Sequence, residues 1–201
     1  TISDKTHFTN FCENNEKMYL ISSKRLAIYN QQNGQIQYKE IPFNYSRLNC
    51  ILSLGKDTIG IGTSNGIILF FAQNNQFRNV EMHFNVMRIF EDSHNELWLF
   101  SKEQRGIVRY DPLTNEQQHY ETPTQNMPKA ELRSRDVIFE DNQGTLWVVP
   151  HLGCLSYYDR EDKELKPYYT DYSKPESKFT PVILNFYVDN QKNFWYANNF
   201  W

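Results

Sequence analysis

Long apolar runs, excess charge of either sign, glycine and cysteine are all scarce in this chain, and each scarcity argues against a class of function. No apolar stretch nears the roughly 18 residues that a membrane-spanning helix needs. The 201 residues carry 21 Lys and Arg against 24 Asp and Glu, a formal net charge of −3, with no dense basic stretch. A face that tracks phosphates is therefore not expected, nor is a nucleic-acid partner. Only 8 residues are glycine. The two glycine-bearing strings, GKDTIG and GIGTSNG, sit in a β-hairpin setting without the strand-to-helix turn that cradles phosphate. The three cysteines, Cys12, Cys50 and Cys154, form no CxxC pair and no Cys/His cluster, so neither a metal nor any other cofactor is expected. Reduced thiols are the first reading of them, with a Cys12 to Cys50 bridge as the alternative. The opening TISDKTHFTNF has neither the basic start nor the apolar core of a secretion signal.

What the chain has in quantity is aromatic residues, 13 Tyr, 14 Phe and 4 Trp, a composition that favours strands. They recur in order. The strings KMYLIS (17–22), TIGIGT (58–63), ELWLFS (96–101), TLWVVP (145–150) and NFWYAN (193–198) are separated, from Met18 through Ile59, Leu97 and Leu146 to Phe194, by 41, 38, 49 and 48 residues. Five copies at that spacing are a repeat. Third strands follow as RLAIY, GIILFF, GIVRY and GCLSYY, then polar turns, then fourth strands QIQYKEI, FRNVEM, QQHYE and LKPYY. Four short antiparallel strands per repeat predict an all-β chain of β-propeller blades at about 7–41, 48–83, 85–121 and 134–169, with a partial fifth at 182–201. No helix is expected beyond one turn after Pro128.

Within the repeat, Asp92, Asp141 and Asp189 open corresponding hairpins, followed by Asn95, Gly144 and Asn193 in the turns. Short carboxylates bonding nearby amides and residues tolerant of positive φ account for this pattern without catalysis. Trp98, Trp147 and Trp195 fall on equivalent second strands, where packing between blades is the natural role. The fifth copy stops before its third strand, so part of a larger ring is expected, and the apolar face of a terminal blade calls for a cap, a homodimer or strand exchange.

The recurring string, as in MRIFEDSHNELWLFSKEQRGIVRYDPLTNEQQHY (87–120), resembles the two-component regulator propeller repeat, and weaker copies extend the resemblance over almost the whole chain. Copy two has Gly60 in place of the Trp, and copy one has Arg25 at the usual Gly that opens strand three. The resemblance implies one part of a seven-bladed propeller in the extracytoplasmic sensor region of a hybrid two-component regulator of gut bacteria. That region would be periplasmic and held by an inner-membrane protein. An oligosaccharide ligand is implied, with the remaining blades and the signalling domains, kinase included, elsewhere in the same protein.

Ligand contacts are expected from loops that share one propeller face, those between strands two and three and those between blades. These loops offer Lys102, Arg105, His151 and Asn65, and Tyr45, Arg47, Arg133, Arg135 and Tyr172. The four arginines would suit an acidic sugar, whereas Tyr45 or Tyr172 would give a neutral sugar an aromatic platform. A protein-binding scaffold is a second reading. A glycan-active enzyme is a third, but Glu103, Glu131 and Glu176 are loop carboxylates that nothing sets opposite one another across a sugar.

Overall fold

A computed structural model describes residues 7–22, 25–55, 57–101, 106–121, 137–149, 155–168, 183–189, 191 and 193–198. Among these, all regular structure is strand. Four four-stranded antiparallel sheets run β1(Asn10–Asn14), β2(Lys17–Ile21), β3(Arg25–Asn30), β4(Ile36–Glu40), then β5(Leu48–Leu54), β6(Thr58–Thr63), β7(Gly66–Phe71), β8(Gln76–Glu81), then β9(Arg88–Glu91), β10(Leu97–Phe100), β11(Ile107–Tyr110), β12(Gln117–Tyr120), then β13(Val137–Glu140), β14(Leu146–Val149), β15(Ser156–Asp159), β16(Glu164–Pro167). A two-stranded sheet follows, β17(Ile183–Val188) with β18(Phe194–Asn198). In each sheet the strands lie in sequence order, so every connection is a hairpin. The four expected blades and the start of a fifth are thus present.

The chain divides into two compact units, one ending at Glu91 and the other beginning at Asp92. In the first unit, asparagines tie β1 to β5 and β5 to the segment just before β9. Asn10 Nδ2 donates to Asn49 O at 2.8 Å, and Asn49 Nδ2 donates to Val86 O at 2.9 Å and Asn85 Oδ1 at 2.6 Å. Beneath them Tyr19, Ile21, Leu26, Leu48, Ile59, Ile61 and Phe70 form one buried cluster. Gly60 stands where the other copies carry an aromatic residue, and a Cβ there would lie 2.8 Å from Leu54 Cδ1, the end of a side chain that can turn aside. Cys12 and Cys50 are free, so the bridge between them is not formed. Burial pushes both thiols up to about 12, which keeps them protonated and unreactive at neutral pH. Cys154 lies outside the described residues.

Three of the four described turns between third and fourth strands share one geometry. Asn30, Asp111 and Asp159 each accept a backbone amide two residues on at 2.8–2.9 Å, and the residue four after each, Gly34, Asn115 and Lys163, has φ between 53° and 71°. The side chain closes the turn and the left-handed residue lets the chain reverse.

In the second unit the repeated Asp and Trp form one device. Asp92 Oδ1 accepts the amides of His94 and Glu96, both at 2.9 Å, and Asp92 Oδ2 accepts the Trp98 indole N–H at 2.9 Å. Asp141 does the same with Gln143, Thr145 and Trp147, and Asp189 with Gln191, Asn193 and Trp195, all at 2.9–3.0 Å. One carboxylate therefore shapes the hairpin and orients the indole six residues on. This register corrects one expectation: Asn193 aligns with Glu96 and Thr145, whose carbonyls accept the Asp amide, and not with the positive-φ residues Asn95 (60°) and Gly144 (78°).

The tryptophans differ in surroundings. Trp98 is fully buried, with the Tyr158 ring of the following sheet edge-on at 4.7 Å and Tyr120 at 5.8 Å. The hydroxyls of Tyr120 and Tyr158 meet at 3.0 Å. Trp147 packs on Tyr157 and Tyr168 within its own blade's segment, while Trp195 is 61% exposed. Packing between blades, expected of all three, is thus seen directly at Trp98. Arg160, in the turn after β15, adds a charged link to Asp92 (3.0 Å), Glu96 (3.3 Å) and Glu140 (3.5 Å).

These bonds set a pH dependence. Burial alone would raise the Asp92 and Asp141 carboxyls, but the indole, amide and, at Asp92, Arg160 hydrogen bonds outweigh it and hold both below the usual range. Asp189 is brought to about 2 by the Trp195 and Asn193 side chains. A carboxyl depressed in the folded state contributes stability above its unfolded value, about 3.9, and loses it as pH falls through the folded value. Urea midpoints should therefore hold steady down to about pH 5 and drop below about pH 4. Carboxyl NMR titration should find the Asp189 midpoint near 2. A midpoint at the ordinary Asp value would show that the clasp does not hold in solution.

Candidate functional site

The site begins where β3 starts and β4 ends. Arg25 and Glu40 are direct cross-strand partners, so their side chains leave the sheet on one face. In the next two copies glycine opens the third strand, and the geometry shows why. Gly66 (φ 130°) and Gly106 (φ 93°) would place a Cβ 2.2 Å from Val80 O and 2.0 Å from Tyr120 O. Arg25 has no such positive φ, which gives its side chain a way out. The fourth-strand glutamate recurs as Glu81, which pairs with Gly66, so in the second blade the carboxylate faces no side chain.

From Glu40 the chain passes into the linker to the second blade. Ile41 is buried, and Phe43 and Tyr45 pack partly buried against the core of the first unit. The turn between β6 and β7 then fixes the linker: Ser46 N donates to Ser64 Oγ at 3.0 Å, and Ser64 N donates to Arg47 O at 3.0 Å. That turn is itself braced, because Asn65 N donates to Thr63 Oγ1 at 3.1 Å and Thr63 Oγ1 donates to Gly66 O at 3.1 Å. The result is an open cavity of about 740 Å³ lined by Arg25, Glu40, Ile41, Phe43, Asn44, Tyr45, Ser46, Ser64 and Asn65. Its size lies within the range of small-molecule sites, roughly 300–1,000 Å³. Burial raises the Tyr45 phenol, so that hydroxyl is a neutral donor and acceptor at physiological pH.

No protein-family profile and no curated protein sequence matches the chain. Solved structures do. The extracellular domain of the hybrid two-component system protein BT4673 of Bacteroides thetaiotaomicron superposes with a TM-score of 0.63 at 18% identity, over 95% of this chain and 26% of that one. The corresponding domain of BT3049 from the same organism gives 0.64 at 16%, over 97% and 28%. Virginiamycin B lyase of Staphylococcus aureus gives 0.68 at 13%, over 98% and 64%. The chain has the β-propeller fold. It spans about a quarter of the length of the two extracellular domains.

Within this propeller fold, Tyr45 and Asn65 both line the cavity. Arg47 sits beside it but outside the lining; its side chain is exposed and only its carbonyl is engaged there. Lys102, Arg105, Arg133, Arg135, His151 and Tyr172 lie outside the described residues. Asp92, Asp141 and Asp189 with Trp98, Trp147 and Trp195, and Gly144, belong to the hairpin clasps rather than to the cavity. Sequence reasoning missed Arg25, Glu40, Phe43 and Asn44 as lining residues. The available signal was the Arg25 departure from the repeat's glycine. Among the described residues no His/Cys/Asp/Glu group has metal-site geometry.

Proposed function

We propose that this chain is part of a seven-bladed propeller in the extracytoplasmic, periplasmic sensor region of a hybrid two-component protein, where it takes part in recognising an oligosaccharide. The observation that carries the reading is that one stretch of chain joins two independent likenesses. Its repeat string resembles the two-component regulator propeller repeat, and its fold superposes on two extracellular domains of hybrid two-component proteins. The cavity at Tyr45 supports a binding role, since it combines an aromatic ring with charged and amide side chains on a braced linker. The likeness to a lyase is one of fold and carries no reaction over to this chain.

Calorimetric titration of the chain with a panel of neutral and acidic oligosaccharides, followed by chromatography of the sugars, tests the reading. Saturable binding with the sugars recovered intact is the expected result. Cleaved or unsaturated products would overturn it in favour of an enzyme, and capture of no sugar at all would remove the sensing role from this part of the protein.

A further inference from the structure

Resting on that sensing reading, the cavity narrows the class of ligand: we infer that it binds an uncharged, hydroxyl-rich saccharide, held between Arg25 and Glu40 and stacked on Tyr45. Arg25 and Glu40 are cross-strand partners on one face, both exposed, and among the described residues neither has an ion-pair partner. A carboxylated or sulfated sugar entering the cavity would gain from the guanidinium about what it loses to a carboxylate at similar range. Among the described lining residues Arg25 is the one cation and Glu40 the one carboxylate, and the exposed Arg47 side chain lies outside the lining.

A neutral sugar meets no such penalty. Adjacent hydroxyls each donate and accept, so one pair can accept from the fork of Arg25 while donating to Glu40, both charge-assisted and of the stronger kind. Asn44 and Asn65 add amides of both polarities. The partly buried Tyr45 ring lines the cavity and supplies apolar surface for the C–H side of a pyranose. The placement of Arg25 is specific to the first blade, since the matching Gly66 and Gly106 have no side chain and no room for one. The inference thus singles out the cleft between the first two blades rather than any cleft of the repeat.

The test is titration of the chain and of its Arg25→Gly, Glu40→Gln and Tyr45→Ala variants with maltohexaose, cellohexaose and laminarihexaose, set against hexagalacturonate and a heparin hexasaccharide. Hydrogen exchange is followed at 41–46 and 64–65, and thermal midpoints confirm that each variant is folded. At least one neutral sugar should bind, protect those segments and weaken roughly tenfold or more in all three variants. Tyr45→Phe should retain most of the affinity. Binding of an acidic sugar that tightens in Glu40→Gln would overturn the ligand class while leaving the sensing role standing. Neutral-sugar binding that none of the variants weakens would overturn the site, again without touching the sensing role. Failure of every sugar would remove both.

Discussion

Replacing Asp92 by alanine should destabilise the second unit by about 3–5 kcal/mol, the range for breaking a buried, hydrogen-bonded charge network. Its carboxylate is buried and engaged by two backbone amides, the Trp98 indole and Arg160. Alanine would leave a buried indole N–H without its acceptor and remove one of the three carboxylates around Arg160. The same substitution at Asp189 removes the same three bonds from a hairpin whose tryptophan is 61% exposed, so water can replace them and the loss should be a small fraction of that at Asp92. Urea unfolding of the two variants decides the matter. Equal losses would mean that the clasp acts through local turn geometry alone and that burial contributes nothing.

Truncation of Trp98 to alanine should cost a similar amount, about 3–5 kcal/mol, through a different route. The indole is fully buried, and its removal opens a cavity between Tyr120 and Tyr158, whose hydroxyls bond each other at 3.0 Å. Trp195→Ala should stay within about 0.5 kcal/mol, as for an exposed site. Because Asp92 and Trp98 share a hydrogen bond, the double variant should be less destabilised than the sum of the two, by about 0.5–3 kcal/mol. Strict additivity would contradict the bond between them.

Much of the fold was legible in the sequence because its determinants are local. A carboxylate, a turn and an indole six residues away repeat three times, and their spacing alone sets the hairpin register. The surroundings of each tryptophan were not legible, since Trp98 and Trp147 sit in the same motif, yet the first meets Tyr158 of the following sheet and the second Tyr157 and Tyr168 of its own segment. Gly60 shows the same limit. Its missing side chain marks it as a departure, but that Leu54 on the neighbouring strand takes up the space beside it is visible only in the fold.

The candidate site was legible by half. Loop position pointed to Tyr45 and Asn65, whereas Arg25 and Glu40 lie at strand ends and come together only through the β3–β4 pairing. At Arg47 the linker brings the backbone to the β6–β7 turn, while the exposed side chain lies outside the lining, a distinction that loop position alone does not make.

Two aromatic contacts join successive blades. Tyr19 on β2 is met by Phe70 at the end of β7, and Trp98 on β10 by Tyr158 at the end of β15. In both pairs, one in each unit, an aromatic ring on the third strand of the later blade meets one on the second strand of the earlier blade. Each contact shields both of its rings, so neither blade of a pair opens without uncovering its neighbour. Amide exchange at β2 and β7, or at β10 and β15, should therefore rise together when either ring of the pair is truncated.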